Sequence, residues 1–409
     1  MSNNVFPETI NAQLNDFENK KAMNTMFGEL TVGQRSDNIN VQFQYSISGF
    51  DIKNPLGDLT GTGSVSHITN MASVESGTGV GSAKLSTRDS VRYRPGHECL
   101  TMFTSDFTSP EVNTFQHYGI FNGSDGFYLG YKDTVFSVFM LSGGSETPIP
   151  QSSFNQDKVD GTGVSGFVLN PERYNIYKIS FGWLGIAPAY FSVYAGHELG
   201  WVLMHVIDLA NTQDSPHIEN PSLPVSFEVG RTSGTGSNIH IQTSSIRAGV
   251  IGESRDDDVS NRRFAAFNVN LAAAANTITH LLSLKPRATY QGKSNHVRSK
   301  VEIIVSANSG NKDVIFKAYS PSQITPSTPL IYADVNTAES TMQTSITAAT
   351  ITEDLPPNDV ALVLRQSLRA NTKVEGFSLY AGDEVTFAVD APAGGGGDMS
   401  IQINWREEF

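Results

Sequence analysis

Residues 175–183 read NIYKISFGW. Tyr177, Ile179, Phe181 and Trp183 fall on one side of an extended chain, with Lys178 and Ser180 on the other. An apolar period of two marks a strand with one face buried. Val225, Phe227 and Val229 repeat the pattern in PVSFEVG, and TVFSVFML (134–141), AYFSVY (189–194) and WVLMHVIDL (201–209) are β-branched and aromatic runs of strand length. Turn signals separate them: Gly123-Ser124-Asp125-Gly126, Lys132-Asp133, Ser142-Gly143-Gly144 and Asn170-Pro171. No amphipathic helical segment intervenes, so the pattern predicts an antiparallel sandwich rather than a parallel sheet.

Outward from this stretch, the pattern holds from about residue 38 to 252. A charged seam follows, GESRDDDVSNRR (252–263), and β patterning resumes in KVEIIVSA, VIFKAYS, VALVLRQS and EVTFAVDA. The last strand, MSIQINW, places Met399, Ile401, Ile403 and Trp405 on one face. Residues 6–30 differ, with Ile10, Leu14 and Phe17 at helical spacing behind Pro7 and Glu8. The expected organisation is all-β: two antiparallel β-sandwich domains of jelly-roll or lectin-like kind, with a short N-terminal helical arm. The arm is 1–37, the larger sandwich 38–252, the charged linker 253–263 and the smaller sandwich 264–409. Ile10, Leu14 and Phe17 are the side chains with which the arm would either pack on its own domain or dock on a neighbouring subunit.

Charged residues are 17% of the 409, and the net charge is −13. Nucleic acid and anionic membrane both require basic surface, so neither is an expected partner. No run of eighteen apolar residues exists, and the start MSNNVFPETINAQ lacks a basic segment followed by an apolar one. One cysteine excludes an intrachain disulfide framework and a thiolate metal cluster.

The search for chemistry yields little. Gly161, Gly163 and Gly166 satisfy GxGxxG, but Pro171 closes the segment before a helix can start, so a loop is expected. His97-Glu98 and His197-Glu198 do not continue to HExxH, and His197, His205, His217 and His240 lack ligand spacing. Glu172, Asp208, Glu219 and Glu228 are available carboxylates with nothing to pair them as glycoside hydrolysis requires. Asp256-Asp257-Asp258 lacks the alternation of a calcium loop. Cys99 reads as a small buried hydrophobe. No catalytic, cofactor-binding or metal-binding residue is therefore assigned, no cofactor is expected, and the chain is expected not to be an enzyme. Aromatics on a sandwich can still stack on sugar rings. Tyr118, Tyr128, Tyr131 and Trp201 are the candidates, each with core packing as the alternative. In VRYRPGHECLTMFTSDFT (91–108), Arg94, Pro95 and Gly96 are expected to form a type II turn between two strands, Gly96 taking the positive φ.

Several of these segments together resemble a family of virion structural proteins of tailed bacteriophages. They are the RYRPG turn (92–96), the strand with Phe103 and Phe107, the DGFYLGY hairpin (125–131), the WLG segment (183–185) and the Leu-Pro-Val stretch (223–225). LLSLKPRATYQGKSNHVRSKVEIIVSA and the closing FAVDAPAGGGGDMSIQINWREEF are similar to the same proteins' C-terminal portion. The resemblance implies a non-enzymatic component of a virion tail, baseplate, fibre or head. Its partners would be other virion proteins, further copies of itself in a trimer or ring, and, in an adhesin role, a host-surface glycan. No catalytic residue comes with it.

Overall fold

The computed structural model describes residues 35–251, 261–308, 314–355, 359–364, 369–373, 378–391 and 397–408. Ile10, Leu14, Phe17, the arm they belong to, Asp256–Asp258 and Gly394–Gly396 lie outside the described residues. Among the described residues there is no α-helix, only two short 3-10 turns between strands. No described helix is long and apolar enough to cross a membrane. Two compact units divide at 254/255.

In chain order, the first unit's strands begin with β1 (Arg35–Gln42), β2 (Asp58–Gly61), β3 (Ser64–Ile68), β4 (Met71–Glu75), β5 (Gly81–Val91) and β6 (Glu98–Phe107). Next come β7 (Thr114–Phe121), β8 (Gly126–Lys132), β9 (Val135–Ser142), β10 (Ser145–Pro150) and β11 (Asn175–Phe181). The unit closes with β12 (Ala189–Tyr194), β13 (Trp201–Ile207), β14 (Leu223–Arg231), β15 (His240–Thr243) and β16 (Ser245–Ile251). Nine strands form one sheet, with β13-β12-β11-β6 at one end, then β15-β4-β3, and with β16 and β1 joined beside β6. Seven form the other, in the order β10-β9-β8-β7-β14-β5-β2. All pairings are antiparallel.

The side chains that alternation turns inward make one core. Tyr177, Ile179 and Phe181 from the nine-stranded sheet meet Tyr118, Ile120, Phe127, Leu129, Val225, Phe227 and Val229 from the seven-stranded one. Phe103 and Tyr118 stack across the interior with ring centroids 3.8 Å apart, and Tyr118 lies 5.0 Å from Phe227. Cys99 belongs to this core, and burial pushes its thiol up, out of reach of chemistry at ordinary pH.

The RYRPG segment carries the chain from one sheet to the other. β5 belongs to the seven-stranded sheet and β6 to the nine-stranded one. Between them the His97 N–H donates to Arg94 O at 3.0 Å, with Gly96 at φ +83°, as a type II turn requires. The WLG segment docks there: the Tyr93 and Trp183 rings meet edge to face at 5.6 Å, and the Leu184 N–H donates to Tyr93 Oη at 3.0 Å. Two segments distant in sequence thus close one end of the sandwich.

In the second unit a five-stranded sheet runs Asn261–Ala273, Gly397–Glu408, Arg298–Asn308 and Arg369–Lys373, with Ser378–Leu379 beside the third of these. An eight-stranded sheet is centred on Thr277–Pro286 and Val385–Ala391. Met399, Ile401, Ile403 and Trp405 are all buried with Leu282, Leu284, Phe316 and Phe387. The last strand is anchored by a buried carboxylate. Glu407 accepts from Thr341 N at 2.7 Å, Trp405 Nε1 at 3.1 Å and the Ser340 hydroxyl.

Phe227 is fully buried at the centre of the first core. Phe227→Ala is expected to lower unfolding free energy by about 3–5 kcal/mol in denaturant titration. Phe50→Ala, at a ring 93% exposed, is expected to change it by no more than about 0.5 kcal/mol.

Candidate functional site

The face of the seven-stranded sheet that turns away from the core carries a row of paired charges. Because Val225, Phe227 and Val229 point inward, Ser226, Glu228 and Gly230 must point outward. Register then assembles rows across the strands. One runs Asp58 (β2), Lys84 (β5), Glu228 (β14), His117 (β7), Gly130 (β8) and Ser137 (β9), each directly opposite the next. A flanking row runs Thr60, Ser82, Gly230, Phe115 and Lys132, and the other Ser86, Ser226, Gly119, Tyr128 and Phe139.

Directly opposed side chains are close enough to interact, and these do. Lys84 Nζ lies 3.1 Å from Glu228 Oε2, and His117 Nδ1 lies 3.3 Å from Glu228 Oε1. Burial would push the Glu228 carboxyl up, but His117 and Lys84 together outweigh it and hold the group at about 2. Lys84 also sits 4.5 Å above the Phe121 ring. On the far side of His117, Tyr128 Oη donates to Glu146 Oε2 at 2.6 Å, and Lys132 pairs with the same carboxylate. Burial raises Glu146 too, yet Lys132 and Tyr128 bring it below its ordinary value, with His117 adding to the effect. Both carboxylates are therefore anionic, with one imidazole coupled to each.

Small residues make this convergence possible. Gly130 and Ser137 continue the His117 row, and in the flanking row a side chain at Gly230 would strike the Phe115 ring, which lies over that glycine. The His117 ring lies 4.7 Å from Tyr128, 5.0 Å from Phe139 and 5.2 Å from Phe115. Phe121, Tyr128 and Phe139, with Leu141 against them, form a second small core on the outer face. Beside it a cleft of about 530 Å³ opens, lined by Asp58, Leu59, Thr60, Ser82, Lys84, Phe115 and Glu228 with Asn54 and Gly57. Phe115 is half-buried and presents its ring to the cleft, while Thr60 and Ser82 hydroxyls bond each other at 2.7 Å.

The four aromatics singled out from sequence do not meet. Tyr118 is fully buried, its hydroxyl 2.9 Å from Thr243 Oγ1, and Tyr131 is inward-facing core, so neither offers a ring to a ligand. Tyr128 does lie on the outer face, but only 3% exposed under its neighbours. Trp201 belongs to the other sheet, half-buried, with Lys178 Nζ 4.4 Å from its ring and Tyr194 edge-on at 5.6 Å. The reason is that β7 and β8 are buried on both faces, so composition alone does not say which alternate ring faces out. Of the carboxylates, Glu172, Asp208 and Glu219 are exposed and apart from the cleft, and Glu228 is central to it. His117 and Glu146 were missed. Neither carries a local signal: His117 shares its strand parity with Phe115 and Phe121, and Glu146 lies in SETPIP, where apolar residues do not alternate.

The Gly161–Gly166 loop is occupied from within. Asp157 accepts from Val159 N and Ser165 N, each at 2.8 Å, and a side chain at Gly163 would overlap that carboxylate. The amides a phosphate would need are thus spent on the protein's own anion. Among the described residues no group of three or more His, Cys, Asp or Glu side chains is placed to hold a metal.

No family model and no curated protein matches the chain. Solved structures do resemble part of it. A glycosyl hydrolase family 16 protein from Mycobacterium smegmatis is 9% identical at TM-score 0.33, over 52% of this chain and 100% of that one. A beta-1,3-glucanase from Mycobacterium marinum is 9% identical at 0.33, over 52% and 98%. A xylan beta-1,4-xylosidase from Bacillus halodurans is 13% identical at 0.31, over 53% and 40%. All three are described as carbohydrate-cleaving enzymes and none as a virion protein. No comparison supports the expectations of a phage structural component and of a non-enzyme, and both are set aside. Likenesses at such TM-scores carry no argument for what this chain does, so its function is argued from the site.

Glu228 ionises more readily when folded than the ordinary glutamate value of 4.5. Its contribution to stability is therefore full above about pH 4.5 and is lost as pH falls towards 2. Chemical denaturation between pH 2 and 7 is expected to show Glu228→Gln flattening this acid limb.

Proposed function

We propose that the first unit binds a saccharide in the cleft beside Glu228. The observation that carries this reading is the pairing, in one cleft, of a carboxylate held anionic by Lys84 and His117 with the half-buried ring of Phe115. A sugar hydroxyl both donates and accepts, and the cleft offers both partners: Glu228 and Asp58 accept, the Lys84 ammonium has N–H groups beyond the one directed at Glu228, and the Thr60 and Ser82 hydroxyls do either. A pyranose also has an apolar C–H face, and Phe115 supplies the flat apolar surface for it. The cleft volume lies within the range of small-molecule sites, about 300–1,000 Å³. The charges cost little to keep there because they are already paired before a ligand arrives.

Isothermal titration of the full chain with neutral and charged oligosaccharides tests this. Binding is expected for at least one, and Phe115→Ala and Glu228→Gln are each expected to weaken it about tenfold or more. Phe115→Leu, which keeps the volume and removes the ring, separates stacking from folding. No heat from any oligosaccharide at millimolar concentration sinks the reading.

A second reading, glycoside hydrolysis on the same face, is favoured by the coupling of Glu146 and Glu228 to one imidazole. Such chemistry needs one proton donor and one anion. Both carboxylates are held anionic, and the imidazole between them is an acid–base group within reach of the pair. Release of reducing ends from β-glucans and xylans, lost in Glu146→Gln, Glu228→Gln and His117→Asn, is the expected outcome. Absence of release from every polysaccharide tried removes this reading.

A further inference from the structure

The cleft's charges do not balance. Lys84 stands directly opposite Asp58 on β2 and Glu228 on β14, one cation between two carboxylates. Its ammonium goes to Glu228, 3.1 Å away, and rests 4.5 Å from the Phe121 ring. His117 is also directed at Glu228. Asp58, exposed at the edge of the same cleft, receives only the Asn54 amide at 3.2 Å and pairs with no cation among the described residues. A ligand entering here therefore meets one uncompensated negative charge. No unspent cation lines the cleft to receive a carboxylate or a sulfate.

Resting on the saccharide reading, we infer that the ligand is an oligosaccharide containing a free amino sugar, its ammonium received by Asp58. Length follows from the strands. The Phe115 ring lies over Gly230 on β14, two strands from Asp58 on β2, about 10 Å at the usual spacing, so one sugar ring stacked on it does not also reach the carboxylate. A chain can, with one residue on Phe115, hydroxyls over Lys84 and Glu228, and an amine at Asp58. Acidic saccharides are disfavoured at the same place, because Asp58 and Glu228 repel them and Lys84 is engaged.

The test is isothermal titration of the full chain with four oligomers of matched length: glucosamine, N-acetylglucosamine, glucose and galacturonate. The glucosamine oligomer is expected to bind about two- to fivefold more tightly than the neutral ones, the range of an exposed charge pair. The galacturonate oligomer is expected to bind more weakly than all of them. The preference is expected to shrink as salt rises, and to vanish in Asp58→Asn, to which the glucosamine and glucose oligomers then bind alike. Equal binding of glucosamine and glucose oligomers, or a preference that survives Asp58→Asn, overturns the inference and leaves the saccharide reading standing. Absence of binding by all four overturns both.

Discussion

The inward placement of Val225, Phe227 and Val229 on β14 is the constraint on which the rest of the first unit depends. β14 pairs with β7 on one side and β5 on the other, so its phase sets theirs. A slip of one residue would drive Glu228 into the space of Phe227, burying a charge with no partner at a cost of several kcal/mol. With the phase set, Lys84, Glu228 and His117 stand opposite one another across three neighbouring strands. Packing of the core and assembly of the ionic row are one event.

That row shows how a sheet face can keep charges at modest cost. Each of Glu228 and Glu146 is drawn partly out of water, and each is compensated by a lysine and a second donor. His117 lies between them within a layer of rings. A layer of apolar rings next to fixed charges gives both surface to cover and directions to bond. Hydroxyl-rich ligands need that combination, whereas a purely apolar pocket cannot satisfy them.

The fold was largely legible in the sequence. The faces read from NIYKISFGW, PVSFEVG and MSIQINW are the faces found, and the all-β, two-sandwich architecture follows from them. The type II turn at Arg94–His97 is present, and Cys99 is buried as its strand pattern implied. The site was not legible. Glu228 was in view with nothing to pair it, and Lys84 and His117 are 144 and 111 residues from it along the chain. Tyr118 and Tyr131 stood open between surface and core because β7 and β8 are buried on both faces, which erases the contrast that tells inside from outside.

Sequence alone determined the period of each strand, the turns between strands and the identities of the side chains on each face. Those properties are local, set by sterics and alternation within a few residues. Tertiary structure decided which strands are neighbours, in what register, and which face of β7, β8 and β14 is left beside a cleft. Those properties depend on pairing residues more than a hundred positions apart. Only when the core closes does a lysine from β5 meet a glutamate from β14 and a histidine from β7, because charge pairing acts through space rather than along the chain.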